Sequence, residues 1–338
     1  MTWCQGNRAR LRIREREHSL TATPPATSRT PEEESVRLGT IYGFLAYGMW
    51  GILPIYFRSL EPASAWEILA HRIVWSFLFC IIIWTWRRDL SWLRPILRSP
   101  RRLALLSLAA FVLAINWGVF IWAVSVGNVV ESSLGYFINP LFLVLMGVIL
   151  LGERMNRYQW TAIGFGALAV TVISVDYGRL PYVALSLATS FSIYGLIKKR
   201  VGGHIGALES MTIESAVLAP FAAAAIIWIQ LSGDGTFLTE GADHTALILV
   251  SGIATAVPLV LFGAAASRIP LTTMGLLQFI APVGQFAVGV FVFGENVPGP
   301  RWAGFALVWV ALVILTLDMF RRAHHGRVAR RATGRATA

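Results

Sequence analysis

The sequence contains little charge and almost no cysteine. Only 14% of its 338 residues are Asp, Glu, Lys or Arg, whereas a soluble domain carries roughly 25%. Its two cysteines, Cys4 and Cys80, are too few for a disulfide framework or a cysteine-based metal cluster. No phosphate-binding glycine motif occurs in a suitable context. These absences exclude an ordinary soluble domain and a nucleotide-driven pump, and we expect no metal or cofactor.

Long apolar runs take the place of the missing charge. The mean hydropathy is +0.62, and runs of nearly 20 apolar residues recur along the chain. The runs are continuous and do not alternate with a period of two, so helices are predicted and not a barrel. The sequence therefore predicts an all-α integral membrane protein with ten transmembrane helices. The predicted spans are 38–57, 65–86, 103–126, 128–151, 158–176, 181–197, 208–230, 245–266, 271–293 and 301–320.

The basic residues are distributed as topology signals. Of the 29 Lys and Arg residues, 25 fall on the side of the N-terminus, three fall on the other side, and Arg72 lies inside a span. Positive residues concentrate on the cytoplasmic side of membrane proteins, so both termini are predicted in the cytoplasm and the chain in the inner membrane. Residues 1–37 are predicted to be a disordered basic cytoplasmic tail, and 321–338 a second basic tail. Although the net charge is +11, nucleic acid is not predicted as a partner.

The two halves of the chain repeat each other. Residues 136–160 align with 278–302 without a gap, at a constant offset of 142. The identical pairs include Phe137/Phe279, Ile138/Ile280, Pro140/Pro282, Gly152/Gly294, Glu153/Glu295 and Trp160/Trp302, and the same offset pairs Asp176 with Asp318. Each half holds five spans, an odd number, so the second copy must insert upside down. We therefore predict inverted five-helix repeats over 38–177 and 178–320, an architecture typical of secondary transporters.

Several motifs together resemble a known family. "EILAHRIVWS" begins at Glu67, "ESSLGYFINPL" at Glu131, "LLGER" at Leu150 and "LQFIAP" at Leu277. In combination they resemble the RarD group of the EamA family, within the drug/metabolite transporter superfamily. The resemblance covers about residues 38–320. It implies a ten-helix inner-membrane permease made of two EamA-type repeats.

Polar groups near the middle of the bilayer are the predicted substrate pathway. Pro140 and Pro282 are expected to break the backbone hydrogen-bond ladder of two helices at matching positions, and such paired breaks point to a transporter site. The pathway residues are predicted to be Asn116, Trp117, Tyr136, Asn139, Pro140, Tyr194, Gln278, Pro282 and Gln285. The alternative is that the prolines are packing kinks and that the polar and aromatic groups pack in the core. A cavity lined by Arg72, Asn116, Asn139 and Gln278 could hold a carboxylate, an amino acid or a neutral amide-bearing drug.

Ionisable residues inside the spans are costly and are candidates for gating or proton coupling. Arg72 lies roughly 9 Å and Glu131 roughly 5 Å into their spans from the same side, so we expect them to pair. Glu67 and His71 share one helix face at the same mouth. By the repeat, Glu209 and Glu214 occupy the corresponding places at the opposite mouth. The alternative is snorkelling or interface anchoring for all six residues.

The function predicted from the sequence is secondary transport of a small organic solute by alternating access, as a permease or exporter. Its partners are the solute and the lipid bilayer. The residues leave proton coupling and a homodimer open. One alternative is a non-transporting sensor or accessory membrane subunit. A membrane-embedded lipid-modifying enzyme is favoured less, because the outer loops are short and have few residues for such a site. In 231–244 these are only Asp234, Glu240, Asp243 and His244.

Overall fold

A computed structural model describes residues 31–152, 155–201 and 205–336, and its regular elements within these ranges are helices. In chain order they are α1 (Pro31–Arg58), α2 (Ala65–Arg87), α3 (Leu93–Leu97), α4 (Pro100–Ser125), α5 (Val129–Leu151), α6 (Arg157–Tyr177), α7 (Tyr182–Val201), α8 (Ala207–Leu231), α9 (Ala242–Ala266), α10 (Leu271–Leu277), α11 (Ile280–Ala287), a π-helical turn (Val288–Val292) and α12 (Gly299–Ala336). The predicted all-α membrane fold is confirmed.

The helices are long enough to cross a bilayer. In the described part of the chain, nine segments have the length and apolar composition of a membrane span, and the apolar part of α7, Tyr182–Lys198, is a shorter tenth. Large apolar side chains remain on the outer helix faces, among them Trp86, Val175 and Leu231, which are 87%, 78% and 82% exposed. Such faces suit lipid, because the backbone polar groups are already paired within each helix.

The N-terminal tail prediction needs one correction. Residues 31–37 were predicted to be disordered, but they form the first two turns of α1. Glu32, Glu33 and Glu34 lie in its first turn, where negative charge favours a helix N-terminus. Residues 1–30 lie outside the described part. The helical bundle itself is the compact unit Gly39–Ala338.

The two repeated prolines affect their helices differently. The helix that contains Pro282 is interrupted at Gln278 and Phe279, between α10 and α11. Proline has no N–H to donate to the carbonyl four residues earlier, which here is that of Gln278. Pro140 lies inside the continuous helix α5. Its missing N–H removes one bond of the backbone ladder without interrupting that helix.

Inverted symmetry is visible in the contacts of the repeated residues. Helices α6 and α12 pack against each other. Asp176, near the end of α6, accepts a bond of 2.6 Å from Arg301 at the start of α12. Its counterpart Asp318, late in α12, accepts a bond of 2.7 Å from Asn156, which caps the start of α6. Equivalent carboxylates thus hold opposite ends of one antiparallel pair, as an inverted repeat requires.

The repeated glycines also adopt one conformation. Gly152 ends α5 with φ of 66°, and Gly294 follows the π-helical turn with φ of 68°. Both values lie in the left-handed region that glycine enters without a steric penalty. The following residue of the motif is Glu295 in the second half, whereas its counterpart Glu153 lies outside the described residues. The positive φ required at this position therefore explains why Gly152 and Gly294 are both glycine.

Glu295 fastens the start of α5. Its carboxylate accepts the backbone N–H groups of Val129 at 2.6 Å and Val130 at 2.9 Å. The first N–H groups of a helix have no partner within it, and an acidic group there is favourable. Burial raises the pKa of Glu295, although the two N–H groups and Arg301 act in the opposite direction. The loop before α12 is thereby connected to the first half of the bundle.

We expect Glu295→Ala to lower the free energy of unfolding by about 1–2 kcal/mol, the cost of losing a helix cap. Glu295→Gln should lose less, because an amide oxygen still accepts one of the two bonds. Denaturant titration of the detergent-solubilised protein measures both. Glu240→Ala, an exposed loop position, serves as the control and should change stability by less than about 0.5 kcal/mol. Wild-type stability of Glu295→Ala would contradict the assigned cap.

Candidate transport cavity

A cavity of about 440 Å³ lies within the bundle and is lined by residues of both halves. Most of its wall is aromatic or aliphatic, and a few polar side chains face it. Eight of the nine predicted pathway residues line it, namely Asn116, Trp117, Tyr136, Asn139, Tyr194, Gln278, Pro282 and Gln285. Pro140 does not line it. Of the six predicted gating residues, Arg72 and Glu214 line it and the other four do not.

Asn116 organises the middle of the cavity wall. Its side-chain NH2 group donates to the carbonyl of Leu187 at 3.1 Å and to Ser190 Oγ at 2.9 Å. Its oxygen accepts the hydroxyl of Tyr136 at 3.1 Å. These bonds join α4, α5 and α7, and they hold Tyr136 against the cavity. Asn116 therefore both bonds its neighbours and lies on the cavity wall.

Glu214 forms the acidic part of the wall. Its carboxylate pairs with Lys198 at 2.9 Å and accepts the hydroxyls of Ser210 at 2.6 Å and Tyr194 at 3.2 Å. Lys198 Nζ also bonds to Ser210 Oγ. Glu214 is only 4% exposed, so these donors replace the water that a buried carboxylate needs. Lys198, one of two lysines in the chain, was absent from the predicted site.

Arg72 lies on the opposite part of the wall and is 3% exposed. Its Nε donates to Thr255 Oγ1 at 2.7 Å. Its guanidinium lies over the ring of Trp117, 4.0 Å from the centroid, and 5.4 Å from that of Phe57. Nη1 is buried and has no hydrogen-bond partner among the residues that the structure describes. Arg72 and Glu214 are separated by the repeat offset of 142, so the two halves place opposite charges at equivalent positions.

The predicted Arg72–Glu131 pair was wrong. Glu131 pairs instead with Arg179 at 2.9 Å and accepts the backbone N–H of Val183 at 3.0 Å. The bond to Glu131 raises the pKa of Arg179. Depth along the membrane is similar for both predicted partners, but helix neighbours decide the pairing. Helix α2 packs mainly against α8 and α9, whereas α5 packs against α7.

Glu67 and His71 share one side of α2 but do not bond to each other. Glu67 accepts the N–H groups of Thr236 at 2.8 Å and Phe237 at 3.0 Å, and also the Thr236 hydroxyl. His71 Nδ1 accepts the indole N–H of Trp75 at 3.1 Å, and its ring lies 4.6 Å from that of Phe237. Both residues hold the loop before α9 against α2. At the opposite mouth, Glu209 accepts the N–H of Gly206 at 2.8 Å and caps α8.

The cavity is asymmetric across the membrane. We call the end where α7 ends and α8 begins the basic end, and the end where α2 begins the Glu67 end. The lining follows α8 from Ala207, its first residue, to Leu218. From α2, the repeat equivalent of α8, Arg72 is the lining residue. The cavity thus reaches the basic end and stops about two turns inside the Glu67 end.

A multi-pass bundle of apolar helices around such a cavity defines the chain as a membrane transporter. Comparison with known proteins agrees with this class. A family model described as the EamA-like transporter family matches residues 37–175. The protein RarD of Streptomyces exfoliatus is 50% identical over 295 residues, which cover 87% of this chain and 93% of that protein. The chain belongs to the EamA-like transporter family, and the predicted resemblance to its RarD group is confirmed.

Two further relatives and one solved structure extend the comparison. An uncharacterized transporter of Vibrio cholerae is 37% identical over 302 residues, 89% of this chain and 99% of that protein. The protein RarD of Escherichia coli is 38% identical over 287 residues, 85% and 96% of the two chains. A crystal structure matches with a TM-score of 0.54 at 18% identity, covering 84% of this chain and 98% of that one. At this identity it supports the fold alone.

Proposed function

We propose that this protein is a secondary transporter that moves a small organic solute through the cavity by alternating access. The observation that carries the proposal is the asymmetry between equivalent helices. Helix α8 is open to the cavity along its first half, while its counterpart α2 touches the cavity at Arg72. In transporters with inverted repeats, an exchange of the two halves' conformations closes one mouth and opens the other.

The direction of the cavity follows from the charge distribution. Lys198, next to the cavity mouth, belongs to the membrane side that carries 25 of the 29 Lys and Arg residues. The positive-inside rule assigns that side to the cytoplasm. We therefore infer an inward-facing state in the inner membrane, with both termini cytoplasmic. Import and export both pass through such a state.

Gating and coupling are proposed for the two clusters at the mouths. Glu67 and His71 hold the loop before α9 and would have to release it when the Glu67 end opens. Glu214 is a buried carboxylate on the cavity wall beside Lys198, so its protonation would break that pair. This makes Glu214 our candidate for a proton-linked step.

Blocking the cavity tests the transport proposal. Gly195 lines the cavity, and a Cβ added there would meet only Leu143 at an ordinary 3.7 Å. We expect Gly195→Trp to fold and to fill the cavity. Proteoliposomes containing the wild-type protein would be incubated with a bacterial metabolite extract. Mass spectrometry of their contents should show at least one compound taken up that Gly195→Trp vesicles and protein-free vesicles do not accumulate.

The matched control is Gly164→Trp, an exposed helical position with no atom within 4 Å of an added Cβ. It adds the same side chain outside the cavity and should transport as the wild type does. Equal uptake by wild-type and protein-free vesicles would contradict transport. Unchanged uptake in Gly195→Trp would contradict the assigned route.

A further inference from the structure

We propose that Arg72 is the binding group for a carboxylate on the transported solute, so that the substrate class is a small organic acid with an apolar body. Only the statement that the solute is transported rests on the proposed function. The binding site itself stands on four observations. Arg72 is buried, it lines the cavity, it lacks an acidic partner in the described part of the chain, and one of its terminal nitrogens has no hydrogen-bond partner.

Arg72 has no acidic partner within the described ranges. A charge taken out of water is costly unless another charge or several hydrogen bonds compensate it. The described ion pairs of the bundle do not include Arg72. Within the described ranges its hydrogen bond is to the neutral hydroxyl of Thr255, and its other contacts are with the rings of Trp117 and Phe57. A charge that lies on a cavity wall without an acidic partner among these residues is available to an anion in the cavity.

The buried carboxylates are already engaged with other groups. Glu67 accepts three bonds from Thr236 and Phe237. Glu131 pairs with Arg179, and Glu214 pairs with Lys198. The acid across the cavity is therefore neutralised by its own lysine, while the arginine is not. This imbalance favours a ligand with a net negative charge over a cation.

The surroundings of Arg72 suit a planar anion. Nε is held by Thr255, and the guanidinium lies over the Trp117 ring at 4.0 Å. These two contacts limit the orientation of the fork. An arginine fork matches a carboxylate with two parallel bonds, which a lysine cannot provide. The remaining wall, with Trp50, Phe120 and Phe262, provides apolar surface for the body of the acid.

The test is ligand binding by the purified full-length protein in detergent at pH 7.5 and constant ionic strength. The probes are phenylacetate, benzoate and hexanoate, each compared with its neutral amide of nearly the same shape. Thermal unfolding and calorimetry measure the binding. We expect at least one acid to stabilise the protein more than its amide does. Arg72→Gln should then raise the Kd of that acid about 10- to 100-fold, as expected for a lost charge-assisted bond.

Two further variants separate the site from folding. Arg72→Lys keeps the charge without the fork, so its Kd for the acid should lie between the values of the wild type and of Arg72→Gln. If Arg72→Gln fails to fold, the comparison of Arg72→Lys with the wild type tests the fork. Arg58→Gln removes an arginine at the same membrane end that is 43% exposed and pairs with Glu61. It should bind the acid as the wild type does.

The outcomes decide between the two proposals. Equal effects of every acid and its amide on the wild type would overturn the carboxylate site. An unchanged Kd in the Arg72 variants would overturn it as well. Uptake of a neutral compound in the vesicle experiment, with no preference for acids, would support transport and contradict an organic acid as the substrate class. Binding of an acid that depends on Arg72, without uptake of any compound, would support the carboxylate-binding site and contradict transport.

Discussion

Gly252→Ala is expected to destabilise the protein by about 3 kcal/mol, the upper end of the usual cost of overpacking. A Cβ at Gly252 would lie 2.5 Å from the carbonyl oxygen of Trp75 and 2.8 Å from its Cβ. The carbonyl group of Trp75 belongs to the backbone, and its Cβ is bonded directly to the backbone, so neither can rotate away. Helices α2 and α9 would have to move apart along their whole contact. Unfolding of the protein in mixed micelles measures the loss.

Gly48→Ala is the matched control for this prediction. Gly48 also lies within a helix, but no atom lies within 4 Å of an added Cβ. We expect its stability to be unchanged or higher by about 0.5–1 kcal/mol, because alanine favours the helix over glycine. A loss in Gly48→Ala as large as that in Gly252→Ala would show that glycine is needed for another reason than close packing.

Arg179→Met is expected to cost about 2–3 kcal/mol. It leaves the Glu131 carboxylate, which is 1% exposed, with the single N–H of Val183 as its remaining donor. Removing one partner of a fully buried pair costs about 3–5 kcal/mol. We expect a smaller loss in the free energy of unfolding here, because Arg179 is 36% exposed and its charge is already partly screened by solvent.

A double-mutant cycle isolates the pair. Glu131→Gln keeps an acceptor for Val183, so the double variant Arg179→Met/Glu131→Gln should recover part of the stability that Arg179→Met loses. Unfolding free energies of the four proteins give the coupling. Arg58→Met, which breaks an exposed pair with Glu61, should cost less than about 1 kcal/mol. Strict additivity of the Arg179 and Glu131 changes would refute the buried pair.

The order and type of the membrane helices followed directly from the sequence. Runs of apolar residues, interrupted by charged loops, have few alternatives in a bilayer, since each span must satisfy its own backbone. The predicted start of the second span and the end of the fourth agree with α2 (Ala65–Arg87) and α5 (Val129–Leu151). The start of the first helix was placed too late, because hydropathy does not detect an acidic first turn.

The candidate site was only partly visible in the sequence. Polar residues deep in a span are few, so Asn116 and Gln285 could be selected by position alone. Lys198 was missed because it lies at a helix end, where a lysine is usually a topology signal. Thr255 was missed because a hydroxyl in a span commonly bonds its own helix, and Thr255 does also donate to Ser251. In the sequence, Lys198 looks like any lysine at a helix end and Thr255 like any threonine in a span. Only their partners in the folded protein assign them to the site.

The sequence by itself determined the all-α membrane class, the positions of the apolar spans and the similarity of the two halves, because these depend on the order of residues along the chain. The constant offset of 142 predicted that Arg72 and Glu214 are equivalent. Only the tertiary structure decided which charges meet. Glu131 and Arg72 lie at similar depth, but depth does not define which helices are neighbours. Because α5 packs against α7, Glu131 pairs with Arg179 in the loop before α7. Because α2 packs against α8 and α9 instead, Arg72 faces the cavity without an acidic partner in the described part of the chain.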